Sequence, residues 1–550
     1  MARSVWLVTA AALTAPALAA SQSDVLWRYV APQAIKFTHI DAAGNLLVAM
    51  DTMIVALDAD SGKPVWTFPL PGPTQVFRNV LDAYFLIGIG GTVTALDPVT
   101  GDTVWRRADL PDLSRTSFAT SRELTSALLQ TKNGFAVLDL GTGVTQWDAT
   151  SLPAGTVVRE YYPLRAHNLM LLLARTPLSD VTLLGVTLDS GRVLWRHDSL
   201  FRAMPRFKRE KGIESLTDYQ SPRIFADTTL LIYFSKDGPM RLDPRTGAVH
   251  WRADALAGTA VGSWEEAYPA PQLLDSLVLV ATGKQVVALD RGTGALRWRS
   301  AKEFRERPTW MVARAGGILV GGFGRPKQFL TALDPATGNR SWPADLEPKA
   351  GATGYITNDT VYLSNDDVLS RIPLATGKVD EIAPILFRGG EQPVRMDTIE
   401  GGGLVLAARQ NIMRVSHDGT VAYRRYFKAP TASFLAKLVS TALIVGLNVA
   451  SVAATPGGGM APIIVRNPVL TARYGRTTEA VNYVYFLTAA PDSTGREGYS
   501  LVLLDRRDGR ELGRLWFDER SPDYRLDAVS GAVYEREGKE ITARRLRGSH

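Results

Sequence analysis

The chain has 550 residues and no cysteine, which excludes disulfides, thiol catalysis, cysteine-bound zinc and iron–sulfur clusters, and leaves no thiol to carry a lipid. Its formal charge is +7, with 21% charged and 45% hydrophobic residues. That is the composition of a folded chain with a mild basic bias, neither disordered nor basic enough to indicate nucleic-acid binding.

The first residues hold one arginine, Arg3, then an apolar run from Val5 to Leu13, then Ala17-Leu18-Ala19 ahead of Ala20. This order predicts a cleavable secretory signal over 1–20, with the folded part over 21–550. The apolar run is too short for a membrane span, which needs about 20 residues. Next comes an isolated strand, Val25 to Tyr29, shaped like the last strand of a repeat.

A repeat then runs along the chain. LDADSGKPVW (Asp58, Gly62, Trp66) returns as LDPVTGDTVW (Asp97, Gly101, Trp105), LDLGTGVTQW (Asp139, Gly143, Trp147), LDPRTGAVHW (Asp243, Gly247, Trp251), LDRGTGALRW (Asp290, Gly294, Trp298) and LDPATGNRSW (Asp334, Gly338, Trp342). LDSGRVLW (Asp189, Gly191, Trp195) reads as a shortened copy, and weaker copies begin at Ile372, Val415 and Leu504. A period of 39 to 54 residues between aspartates points to propeller blades or a solenoid.

Each copy reads as a hairpin: an apolar strand, a turn, and a short strand ending in tryptophan. In Asp97-Pro98-Val99-Thr100-Gly101 the proline presets φ, the aspartate and threonine can bond nearby amides, and the glycine accepts positive φ. Two further strands precede each hairpin, as in Ile35 to Ile40 and Asn45 to Met50, so the unit is a four-stranded sheet. The tryptophans, keeping one repeat position, are expected to fill the space between neighbouring sheets.

Two stretches break the period. Phe201 to Gly212, FRAMPRFKREKG, places Arg206, Lys208 and Arg209 among aromatic residues; it reads as a solvated loop, with grip on an acidic partner as the functional alternative. A hydrophobic insertion over 430–475 contains Ser433 to Ala454, where Phe434, Leu435, Leu438 and Leu443 lie in or beside 17 uncharged residues from Leu438 to Ala454. It is expected to pack as a helix or extra hairpin on the propeller, or to contact a partner protein or membrane.

Chemistry-bearing motifs are scarce. None of the six histidines forms a metal-spaced pair, and neither a GxSxG elbow nor a GxxxxGK[ST] loop occurs. Asp58-Ala59-Asp60 lacks the full spacing of a calcium loop and reads as turn chemistry.

The strand-LDxxTGxxxW pattern resembles the PQQ-type (quinoprotein-like) β-propeller repeat over nearly the whole of 21–550. The resemblance implies an all-β propeller of four-stranded blades, eight or more in number. Ten strand quartets are countable, plus an eleventh made by the N-terminal strand joining the C-terminal strands and closing the ring. It also implies two functional classes. One is the quinone-dependent dehydrogenases, which would need PQQ, calcium and a general base acting on an alcohol or sugar. The other is the non-catalytic, protein-binding propeller of the outer-membrane β-barrel assembly machine. The missing motifs favour the second: an exported scaffold of the periplasm or outer membrane, without cofactor or metal, whose partners are other envelope proteins and not nucleic acid. A component of a surface layer or secretion complex is a third reading.

Overall fold

The computed structural model describes residues 24–41, 43–70, 76–80, 84–89, 92–109, 119–121, 124–131, 134–164, 167–201, 207–210, 213–216, 219–224, 230–234, 236–259, 269–314, 316–323, 328–349, 352–357, 359–399, 401–428, 482–491, 497–517 and 522–546. The insertion at 433–454, with Phe434, Leu435, Leu438 and Leu443, and also Arg206, lies outside the described residues.

Among the described residues the chain is all-β, its helical elements being 3-10 turns such as Ala149–Ser151, Asp254–Leu256 and Arg388–Gly390. Eleven antiparallel sheets follow one another, with one separate hairpin. The first sheet sets the pattern: Phe37–Ile40, Leu46–Ala49, Met53–Leu57 and Pro64–Pro69 pair in sequence order. Its two middle strands, LLVA and MIVAL, are buried nearly throughout, as expected of strands covered on both faces. The fourth, PVWTFP, buries Trp66 and exposes its neighbours, as an outer edge does.

Sheets two to six start at Val76, Ala119, Val157, Tyr219 and Gln272, and the seventh at Trp310. The eighth starts at Thr353, the ninth at Arg395 and the tenth at Tyr483. The eleventh combines Asp523–Asp527, Ala532–Glu537 and Glu540–Arg545 with the N-terminal strand Asp24–Val30, which pairs antiparallel with Glu540–Arg545.

Apolar clusters bridge consecutive sheets. Leu47, Ile54 and Trp66 of the first pack with Phe85, Ile87 and Leu96 of the second. Leu503 and Leu515 of the tenth meet Tyr524 and Val533 of the eleventh. Trp27, Ala532 and Ile541 of the eleventh meet Leu46 and Val55 of the first. The core is therefore a series of thin layers between sheets, and burying each large side chain contributes roughly 1.5–3 kcal/mol.

Two expectations need correction. The seventh sheet has three strands, Trp310–Arg314, Gly317–Phe323 and Gln328–Leu333, and no fourth strand forms at Trp342. Only the isolated bridges Leu333 to Arg340 and Leu330 to Leu346 remain there. Pro343, directly after the tryptophan, has no N–H to donate to a ladder. The basic stretch after Phe201 is not all loop: Phe207–Glu210 pairs with Ile213–Leu216, setting Lys208 opposite Ser215 and Arg209 opposite Glu214.

Candidate functional site

In each turn the aspartate accepts from the turn's own donors. Asp97 Oδ1 takes the amides of Val99 and Thr100 at 2.7 and 3.1 Å. Asp290 Oδ1 takes the amides of Gly292 and Thr293 and the Thr293 hydroxyl at 2.8 to 3.0 Å. The glycine amide closes the turn on the aspartate carbonyl, as Gly101 does on Asp97 at 2.9 Å. Asp58, Asp243 and Asp334 take the same two amides, and Asp139 takes the Thr142 amide and hydroxyl.

The tryptophan of one sheet lies on the turn of the next. Trp27, Trp66, Trp105, Trp147, Trp195, Trp251, Trp298 and Trp342 cover Gly62, Gly101, Gly143, Gly191, Gly247, Gly294, Gly338 and Gly377 respectively, so closely that a Cβ on any of these glycines would overlap the indole. Each indole N–H donates to the carbonyl just after the turn-starting residue: Ala59, Pro98, Leu140, Leu188, Pro244, Arg291, Pro335 and Leu374, at 2.7 to 3.1 Å. The buried indole thus keeps its only polar atom satisfied.

This pattern corrects one assignment. Asp189 is not the repeat aspartate; Thr187 is the turn-starting residue. The Gly191 amide donates to the Thr187 carbonyl, the Thr187 hydroxyl bonds Ser190, and the Arg192 amide donates to the same hydroxyl. The copy is therefore full length, threonine replacing aspartate, while Asp189 receives the Asn168 side chain at 2.8 Å.

Other positions escaped the sequence pattern. Tyr423 replaces tryptophan in the ninth sheet, covering Gly509 and donating its hydroxyl to the Arg506 carbonyl at 2.7 Å. Pro373 replaces aspartate in the eighth. Two residues after the indole, a second donor reaches the next sheet's glycine carbonyl: Arg107 Nη1 to Gly143 at 2.6 Å, with His197 Nε2 2.7 Å from the Gly247 carbonyl. Arg425, two residues after Tyr423, does so to Gly509 at 2.9 Å. A polar donor two places beyond the tryptophan was the available signal.

The charges at these turns are committed. The Arg297 guanidinium, and then the Thr293 amide and hydroxyl, hold the Asp290 carboxyl down at about 2. Bonds from Thr246 and Arg245 likewise lower Asp243. Asp60 meets Arg545 of the eleventh sheet at 2.6 Å, so the Asp58-Ala59-Asp60 pair serves a turn and an inter-sheet ion pair. The turn amides occupy Oδ1 of each of these repeat aspartates, so that oxygen serves the turn. Among the described residues no group of three histidine, aspartate or glutamate side chains is placed to hold a metal.

The family model for outer membrane protein assembly factor BamB matches residues 14–175 and 179–421. No curated protein matches the sequence. Among solved structures, BamB from Moraxella catarrhalis is 17% identical, with 62% of this chain and 97% of that chain covered and a TM-score of 0.31. Dihydro-heme d1 dehydrogenase NirN, in complex with DHE, is 15% identical over 65% of this chain and 78% of its own, with a TM-score of 0.32. The computationally designed Ika8 protein is 13% identical over 64% and 96%, with a TM-score of 0.31. The matched family spans take in more than half of the chain and contain the indole-on-glycine repeats up to Trp342, so the chain belongs to the outer membrane protein assembly factor BamB family.

Proposed function

We propose that this protein is a non-catalytic, protein-binding propeller of the cell envelope, exported by the 1–20 segment and working without a cofactor alongside outer-membrane assembly proteins. The observation that carries this reading is membership of the BamB family. The commitment of the repeat's aspartates, glycines and indoles to holding sheet against sheet supports it. What is left for a partner is surface: loop ends and the outer strands, whose unpaired edges can accept another chain's strand. The eleven sheets are proposed to form one ring, with Asp24–Val30 completing the last sheet and Trp27 locking that sheet to the first. Among the described residues no helix is long and apolar enough to cross a membrane.

The test is cross-linking in intact cells followed by mass spectrometry. Recovery of outer-membrane assembly proteins is expected. Recovery of surface-layer or secretion proteins in their place would contradict the assembly role. Stoichiometric quinone uptake with dye reduction, after addition of PQQ and calcium to the purified protein, would contradict a non-catalytic role.

A further inference from the structure

The boundary between the eighth and ninth sheets departs from the repeat. No indole covers the ninth sheet's turn; the Ile382 carbonyl sits where a Cβ of Gly419 would lie. The connection that follows, from Ile385 to Val394, exposes apolar surface at one end of the ninth sheet. Leu386 is 58% exposed, Val394 55% and Tyr426 38%. Other exposed valines and leucines, such as Val65, Val104, Val249 and Leu296, sit at repeated positions on fourth strands just before a tryptophan. Val30 and Leu178 are exposed singly, at a strand end and in a turn, whereas Leu386, Val394 and Tyr426 lie together at one end of the ninth sheet.

This surface is fixed. Buried Asn411 accepts from the Arg388 amide at 3.0 Å and donates to the Arg388 carbonyl at 3.0 Å, pinning the connection to the hairpin between the ninth sheet's second and third strands. The Arg388 guanidinium lies 5.6 Å from the Tyr426 ring centre. Arg424 donates to the Pro384 carbonyl at 3.1 Å, tying the ninth sheet's fourth strand to the start of the connection. Arg388 has no ion-pair partner among the described residues. The connection's own acid, Glu391, takes the Gln410 amide and the Asn411 side chain on Oε2.

We infer that this end of the ninth sheet, centred on Leu386, Arg388, Val394 and Tyr426, is the docking surface for an acidic, apolar segment of a partner protein. Arginine and tyrosine around a small apolar centre is the composition of a protein interface, and a pre-positioned guanidinium fork suits carboxylates. The inference rests on the protein-binding reading and gives it an address.

The test uses the full chain and a fluorescein-labelled octapeptide of alternating Leu and Glu, with its Gln-for-Glu counterpart as control. Fluorescence anisotropy should show saturable binding of the acidic peptide, with the Gln peptide roughly tenfold weaker or more. Arg388→Glu, and separately Leu386→Ser, should weaken binding by roughly tenfold. Arg314→Glu, an exposed arginine of the seventh sheet, should leave it unchanged. Should Arg388→Glu alter the circular dichroism spectrum, Val394→Ser serves as the second variant. Equal binding by wild type and these variants, equal loss in Arg314→Glu, or the same residue dependence only toward vesicles of three parts phosphatidylethanolamine to one part phosphatidylglycerol would overturn the inference. If intact cells cross-link the same assembly proteins to wild type and to Arg388→Glu in equal amounts, protein binding stands and this surface is not its seat.

Discussion

Trp105 of the second sheet lies over Gly143 of the third so closely that a Cβ on the glycine would fall 2.5 Å from the indole. Gly143 also has φ of +70°, which L side chains rarely adopt. Gly143→Ala should therefore cost about 1–2 kcal/mol in left-handed strain, and about 1–3 kcal/mol more from overpacking. Gly283, with φ of +55° and open space around its Cβ, isolates the strain. Denaturant midpoints should fall clearly further for Gly143→Ala than for Gly283→Ala; equal shifts would mean the indole is not seated there.

The same indole donates to the Leu140 carbonyl at 2.7 Å. Trp105→Phe keeps much of the apolar contact and leaves that carbonyl without its donor, a cost of about 1–3 kcal/mol. Trp105→Ala adds a cavity and should cost about 3–5 kcal/mol. Urea unfolding followed by circular dichroism would rank wild type above Trp105→Phe above Trp105→Ala.

At the fourth sheet the two candidate turn residues separate cleanly. Thr187→Ala removes a hydroxyl that bonds Ser190 and the Arg192 amide, costing about 1 kcal/mol. Thr187→Ser keeps the hydroxyl and should be close to neutral by thermal melting. If Asp189→Ala proved as harmful as Thr187→Ala, and Thr187→Ser harmful too, the reassignment would fail.

Acid should weaken the sixth sheet's turn through Asp290. Its carboxyl is held at about 2, chiefly by Arg297, against an ordinary value of 3.8. A depressed folded value means that the stabilisation is present above the unfolded value and lost as pH falls through the folded one. The window is therefore pH 3.8 to about 2. Asp290→Asn should be less stable than wild type at neutral pH, and the gap should close across that window. A gap independent of pH would show that the charge contributes nothing.

Much of this was legible because the repeat ties chemistry to spacing. Asp97, Gly101 and Trp105 announce a turn and its indole without reference to any neighbour. What the pattern hid was substitution by a residue doing the same job. Tyr423 offers a ring and a donor, Thr187 an acceptor, and Asp189 two positions later mimicked the expected aspartate. The missing strand at Trp342 was written in Pro343, yet a proline beside a strong motif is easily passed over. The surface around Leu386 was not legible at all, since exposure depends on which sheets meet. Phe434, Leu435, Leu438, Leu443 and Arg206 lie outside the described residues; Lys208 and Arg209 sit on a short hairpin.

The central structural claim is that indole-on-glycine contacts lock the first eight sheets in series and the eleventh to the first, with the N-terminal strand completing the eleventh. The chain's lack of cysteine permits a direct measurement: replace Arg28 and Thr542, directly opposed across the two strands, by cysteine and oxidise the protein. A single intramolecular disulfide, seen as a faster-migrating monomer on a non-reducing gel and by mass spectrometry, is the result predicted. Free thiols, or disulfides only between molecules, would contradict it.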